Sequence, residues 1–401
     1  MNAKPHDEAR IRDWSSVRRL LAVRLDAMGD VLMTTPALNA AKTSCSGRHV
    51  TLLTSAGGAQ AARLLPDVDD VIVYDAPWVK ATANRAHAEF DRQMIRRLAR
   101  GGFDAAVIFT VYSQNPLPAA MLCYLADIPR RLAHCREHPY QLLTDWIPER
   151  EPEGGVRHEV ERQLDLVAAV GWRARDRRMR IVVPNAAAIR IAERLAALGL
   201  GADTRWAVLH PGASAPSRRY PPERFGAVVR TLASQHGWRF VLTGSRDEIP
   251  LAERVRAEAP AETCSLAGEL GLAELAALIR RAPLLISNNT GPVHIAAAVG
   301  TPVVDLYALT NPQHTPWLVP SRVLFREVPC APCYRSVCPE RHHLCLAGVT
   351  PEQVVEAALE LVRVEDRESG LRSGTDHPEP PTPVRRRDIG AERSLGARTA
   401  P

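Results

Sequence analysis

An alternation that runs twice along the chain constrains its fold more than any single motif. Short runs rich in valine, isoleucine and leucine (LLAVRL, VTLLTS, VIVYD, DAAVIFT) alternate with longer amphipathic stretches such as DVLMTTPALNAAK and EFDRQMIRRLAR. Strands that are apolar on both faces belong in a parallel sheet covered by helices on both sides, so the first half predicts a doubly wound α/β domain. After the helix-like HEVERQLDLVAAVGW and a Pro184-Asn185 break the alternation restarts with WAVLH, RFVLTG, LLISNNTG and TPVVDLYAL. At 401 residues the chain is long for one domain and suits two.

The expected organisation is a flexible N-terminus over 1–16, a first domain over 17–184, a linker helix over 185–202 and a second domain over 203–350. A C-terminal helix over 351–364 follows, with Thr350 as N-cap and Pro351 in the first helical position. Residues 365–401 are rich in proline, glycine and charge and poor in large apolar side chains, which predicts a disordered tail. Two similar domains facing a cleft is the architecture this pattern favours.

Composition excludes several classes of function. The formal net charge is +6, yet no lysine or arginine run is interleaved with aromatics, which argues against a nucleic-acid partner. The excess suits anionic small molecules or a membrane surface. Arg173, Arg175, Arg177, Arg178 and Arg180 read as a solvated segment between elements. No apolar run approaches the roughly 18 residues of a membrane span and no secretory h-region follows the N-terminus, so a cytoplasmic location is expected. Eight cysteines, four of them crowded between Cys330 and Cys345, do not resemble a small secreted disulfide framework.

Several stretches could carry chemistry. In LLISNNTGPVHIAAAVG a buried strand leads through Thr290-Gly291-Pro292 into a helix, which is either an ordinary capped helix or an anion site fed by free amides and the helix dipole. HPGASAPSRRYPPERF puts Arg218 and Arg219 in a loop after another strand, suited to a diphosphate. VLTGSRDEIP adds Asp247 and Glu248, which could take ribose hydroxyls or cap a helix. Asp30, in RLDAMGDVLMTTPAL, either caps the first helix or faces the cleft from the end of the first strand. Cys330, Cys333, Cys338 and Cys345, with His342 and His343 between the last two, could hold a structural zinc or an iron–sulfur cluster, or could simply be small buried residues. The dinucleotide fingerprint GxGxxG after the first strand, the P-loop, HExxH and GxSxG are all absent.

GDVLMTTPAL, HPGASAPSRRYPPERF, LTGSRDE and SNNTGPVHIAAAVGTPVVDLYALTNPQHTPW, in this order, resemble glycosyltransferase family 9, the ADP-heptose:lipopolysaccharide heptosyltransferases, over roughly 17–364. The resemblance implies a GT-B fold, two Rossmann-like domains with the acceptor on the first and the nucleotide sugar on the second. It implies inverting, metal-independent transfer of heptose from ADP-heptose to a lipopolysaccharide core, with no cofactor beyond the donor substrate. The partners would be the nucleotide sugar and a lipid-linked glycan, with peripheral contact at the inner membrane surface. By the same resemblance Asp30 is the general base, Arg218 stands where the family has a phosphate-contacting lysine, and Asn289-Thr290-Gly291 replaces the usual Asp-Thr-Gly, with His294 following. Asn289 and His294 would serve the donor sugar or nucleotide. Asparagine accepts through its amide oxygen but carries no charge, so another nucleotide sugar is an open alternative. Two other functions share this architecture: a nucleotide-sugar epimerase, and a nucleotide-sugar-binding module with a degenerate site.

Overall fold

The computed structural model describes residues 11–79, 82, 87–201, 203–308 and 313–371. The first sheet contains β1 (Arg19–Arg24), β2 (His49–Thr54), β3 (Asp70–Val73), β4 (Ala105–Ile108), β5 (Arg131–Cys135) and β6 (Asp145–Pro148), in the order β3-β2-β1-β4-β5-β6. The second contains β7 (Trp206–His210), β8 (Arg239–Leu242), β9 (Thr263–Ser265), β10 (Leu285–Asn288), β11 (Val303–Leu306) and β12 (Ser321–Leu324), in the order β12-β11-β10-β7-β8-β9. All pairings are parallel. Each sheet reverses direction beside its first strand, between β1 and β4 and between β7 and β10. Such reversals open a crevice at the carboxyl ends of the strands, where ligands of open α/β sheets bind. Asp30 follows β1, the Arg218 loop follows β7, and Thr290 follows β10, so all three lie at these crevices.

The expected strands form because their apolar runs are covered on both faces: β4 and β7 are buried along their whole length. The short β5, β6, β9 and β12 escaped the periodicity argument. β5 reads RLAHC and β12 reads SRVL, segments too short and too polar to stand out from loops. One apolar cluster joins the two sheets, running from Val31 and Leu32 through Val293 and Ile295 to Val208. A second fills the outer side of the second sheet, where Val354, Ala358 and Leu361 of the C-terminal helix pack.

Three expected boundaries shift. Within the segment expected to be flexible, residues 11–16 are anchored: Trp14 is buried edge-on against Trp172 at 5.5 Å, and the Arg12 amide donates to Asp145 at 2.6 Å. A single tryptophan buries enough apolar area to fix a polar lead-in. The C-terminal helix spans Pro351–Leu371, past the expected stop at 364, because nothing in VEDRESG breaks a helix before its glycine. The helix expected to link the domains, Asn185–Ala197, belongs with the second sheet: it packs on the helix Leu272–Arg281 and pairs Arg190 with Glu274 and Arg194 with Glu269, both at 2.7 Å. Residues 1–10 and 372–401 lie outside the described residues. Arg173, Arg175, Arg177, Arg178 and Arg180 are all exposed, as expected of a solvated segment.

Candidate active site

β1 ends on Arg24, and the short helix Met28–Met33 begins four residues later with Asp30 in its first turn. The helix has no side-chain cap, so Asp30 is not an N-cap. Its carboxylate instead meets Arg24, whose Nη2 stands 3.1 Å from Oδ1. Arg24 is wholly buried and is shared by three carboxylates: Nε lies 3.0 Å from Asp26 and Nη1 lies 2.8 Å from Glu159. Burial alone would pull the guanidinium towards neutrality, but Asp26, Glu159 and Asp30 outweigh it and hold Arg24 charged, its pKa above the ordinary arginine value. Burial also pushes the carboxyls of Asp26 and Glu159 above their ordinary values, against the pull of Arg24. Nη2 donates a hydrogen bond to Asp30, whereas Nε and Nη1 meet Asp26 and Glu159 as ion pairs without hydrogen-bond geometry.

Asp30 also opens onto a cavity of 930 Å³ in the first domain, lined in part by Asp26, Asp75, Gln114, Trp78 and Phe109. Carboxylates and amides suit sugar hydroxyls, and flat aromatic faces suit the C–H face of a sugar ring.

Across from this wall the second domain approaches closely. Helix Gly291–Val299 begins directly after Thr290, whose side chain makes no capping bond. A Cβ on Gly291 would stand 2.0 Å from the Met28 methyl, and one on Gly29 would stand 2.7 Å from the His294 ring. Only glycine at both positions lets the two helix ends meet. His294 is therefore packed between the domains. Among the described residues its Nδ1 has no hydrogen-bond partner, and burial first, then the neighbouring His158 and Arg218, lowers its pKa to about 3.

His314 completes the contact. Its Nε2 lies 3.9 Å from Asp30 Oδ1, too long for a hydrogen bond. Burial, then His294, Arg24, Arg218 and His158, hold its pKa well below the usual histidine value, so a neutral imidazole faces the Asp30 carboxylate and the pair is not a salt bridge. Arg218 closes the short turn Pro216–Arg218 and is close enough for its charge to act on both histidines. The structure thus brings Asp30, Thr290, Gly291, His294 and Arg218 to one junction, with His314 between the walls.

The other expected residues fare differently. Asn289 donates through Nδ2 to Asp305 and to the His314 carbonyl, both at 2.9 Å, so its amide nitrogen is committed to the protein. Asp305 is fully buried, and burial raises its pKa to about 8 against the Asn289 hydrogen bond. An aspartate at 289 would set two carboxylates in contact, which accounts for the asparagine. Glu248 accepts from the Ser245 amide at 2.8 Å in a capping box and stands 4.0 Å from His210 Nε2 at the end of β7, whereas Asp247 is exposed on the turn.

Among the described residues no three histidine, cysteine, aspartate or glutamate side chains are grouped to hold a metal ion. Among the described residues Cys330, Cys333, Cys338 and Cys345 form no disulfide, and Cys345 packs against the second-domain core. The expected zinc cluster therefore finds no support among the described residues. The segment serves instead as a buttress: the Ser217 amide donates to the Ser336 carbonyl at 3.1 Å, Ser217 Oγ donates to the Arg335 carbonyl at 2.8 Å, and the Tyr112 hydroxyl donates to the Tyr334 hydroxyl at 2.5 Å. It therefore backs the Arg218 turn and ties it to the first domain.

Sequence reasoning missed Arg24, Glu159, Gln313 and His314. An arginine closing an otherwise apolar buried strand was a signal for the first, since a charge there needs partners. No local pattern marks Glu159; Gln313 and His314 lie in the TNPQHTPW end of the stretch that carries the family resemblance, but nothing there gives them a role, and all three become neighbours of Asp30 only when the second domain docks.

Comparison with known proteins agrees with this architecture. Residues 92–344 match the model of glycosyltransferase family 9 (heptosyltransferase). Lipooligosaccharide heptosyltransferase 2 of Haemophilus ducreyi is 27% identical over 287 residues, covering 68% of this chain and 80% of that enzyme. The namesake from Haemophilus influenzae is 32% identical over 159 residues, covering 38% of this chain and 46% of that enzyme, so the chain spans about half the length of that relative. In structure, a family 9 glycosyltransferase from Veillonella parvula superposes with a TM-score of 0.73 at 22% identity, over 89% of this chain and all of the other. E. coli ADP-heptose lipopolysaccharide heptosyltransferase II gives 0.68 at 21% identity, over 87% and 99%. The fold is GT-B, and the chain belongs to glycosyltransferase family 9.

Proposed function

We propose that the chain is an inverting heptosyltransferase that moves heptose from ADP-heptose onto a lipopolysaccharide core acceptor without a required metal. One observation carries the reading: Asp30, at the edge of the first-domain cavity, faces His314 and the Thr290–Gly291 helix end of the second domain beside Arg218. The acceptor occupies the cavity, and its hydroxyl gives its proton to Asp30 while attacking the anomeric carbon. The departing diphosphate lies on the opposite side of the sugar, where Arg218 and the amides at the helix start stabilise its growing charge. Attack and departure on opposite faces invert the anomeric centre through an oxocarbenium-like state. The buried contact between the helices excludes water that would otherwise hydrolyse the donor.

Lipopolysaccharide truncated before its heptose region, incubated with ADP-heptose, tests this. ADP should be released in step with heptosylation, the new linkage should have inverted configuration, and a chelator should leave the rate unchanged. Conversion of the nucleotide sugar without acceptor would point to an epimerase and overturn the reading. ADP binding with no turnover would point to a binding module.

A further inference from the structure

Arg24, Glu159 and Gln313 carry an inference beyond the roles given above. The main chain and side chain of Gln313, in the loop after β11, both engage Glu159 at the start of helix Glu159–Ala168 in the first domain. The Glu159 amide donates to the Gln313 carbonyl at 3.0 Å, and Gln313 Nε2 donates to Glu159 Oε2 at 3.0 Å. The other oxygen, Oε1, meets Arg24 at 2.8 Å, and Arg24 in turn holds Asp30 at 3.1 Å. Arg24 and Glu159 are 0% exposed and Gln313 is 1% exposed, so water is not a substitute partner between Gln313 and Glu159 or between Glu159 and Arg24. On its far side the loop is held by the donor-binding turn, since the His314 carbonyl accepts from Asn289, the neighbour of Thr290. A continuous chain of contacts therefore runs from the start of the second-domain helix through Asn289, His314, Gln313, Glu159 and Arg24 to Asp30.

Neighbouring contacts brace the loop. His158 Nδ1 accepts from the Val160 amide at 3.1 Å, which leaves Nε2–H to donate to the Thr315 carbonyl at 2.9 Å. Trp317 stacks on His158 at 4.5 Å and donates to the Arg177 carbonyl at 2.7 Å. If the second domain withdrew, Glu159 would lose both Gln313 bonds and its burial, and Arg24 would be redistributed among the remaining carboxylates. Withdrawal would change both the hydration of Glu159 and its partners, so the domain position and the direction of the Arg24 guanidinium are not independent.

We infer that Gln313 and Glu159 are positioning residues, a latch through which the nucleotide-binding turn of the second domain sets the place of Asp30 in the first. The inference rests on the reading of Asp30 as the base. Donor binding at Thr290–Gly291 favours the latched arrangement, and the base is aligned when donor is present.

Hydrogen exchange on the full chain with ADP as the probe tests the latch without an acceptor. In the wild type, ADP should slow amide exchange at 291–299 and also, by about tenfold, at 28–33. In Gln313→Met, which keeps side-chain length but removes the side-chain bond, ADP should still slow 291–299 while the effect at 28–33 falls to the part carried by the direct packing of Met28 and Gly29 on Gly291 and His294. Glu159→Gln should weaken the transmission and keep part of it, because the amide can still meet Gln313. Full transmission in Gln313→Met, or slowing confined to 291–299 in the wild type, would overturn the latch alone. Slowing at neither segment would overturn the nucleotide reading and the latch with it. With ADP-heptose and heptose-free lipopolysaccharide, Gln313→Met should lower kcat about 10- to 100-fold and leave KM for ADP-heptose within about twofold, a split a merely structural role would not produce.

Discussion

The two walls of the junction are built from opposite materials. The first-domain wall is acidic and charge-dense, with Asp26, Asp30 and Glu159 around one buried guanidinium. The second-domain wall offers a helix start, the Arg218 cation and two imidazoles that burial keeps neutral. A proton acceptor needs a carboxylate held in one place, whereas a leaving diphosphate needs donors and positive potential. The contrast matches the division of labour proposed for acceptor and donor.

Each wall can be broken separately. Asp30→Asn should show the largest effect, a loss of transfer of about 10²- to 10⁴-fold in steady-state assays. Loss of Arg24 comes next: Arg24→Met leaves three carboxylates without their shared cation, and chemical denaturation should read a destabilisation of about 3–5 kcal/mol. On the opposite wall, Arg218→Ala should weaken ADP binding by about 1.5–3 kcal/mol, the range for a hydrogen bond to a charged group. The seam between the walls is probed by Gly29→Ala, whose new Cβ meets His294, so thermal unfolding should report a cost of about 1–3 kcal/mol.

The smallest effect tests the Asn289–Asp305 pair. Asp305 has a folded pKa of about 8 against an ordinary 3.8, so the folded state keeps a proton that the unfolded state has lost. Its contribution therefore falls as pH rises from about 4 to 8 and levels off beyond. Asp305→Asn should raise Tm by a few degrees above pH 7, and the gain should vanish near pH 4. A gain that stayed constant with pH would mean the carboxyl is ionised throughout.

The walls also differ in how much of them the sequence reveals. The central strands of both sheets, the crevice positions and the second-domain stretches at Arg218 and Thr290 follow from apolar periodicity and from residues adjacent in sequence. The wall around Asp30 is legible at Asp30 and, as a charge closing an apolar strand, at Arg24. Arg24, Glu159 and Gln313 are separated by more than a hundred residues, and their roles arise from burial, which no local pattern encodes. Asn289 shows the same limit from the other side: in sequence it is a lost charge, in structure it is the hydrogen-bond partner of a carboxyl sixteen positions later. The cysteine spacing suggested ligands, but Cys345 is turned into the second-domain core while Tyr334 to Ser336 bridge to Tyr112 and Ser217.

Calorimetric titration of ADP into the wild type, Asp30→Asn and Arg218→Ala tests the division between the walls most directly. Affinity should stay within about twofold in Asp30→Asn and fall at least about tenfold in Arg218→Ala, since only the second wall holds the diphosphate. Equal loss in both variants, or loss in Asp30→Asn alone, would contradict it.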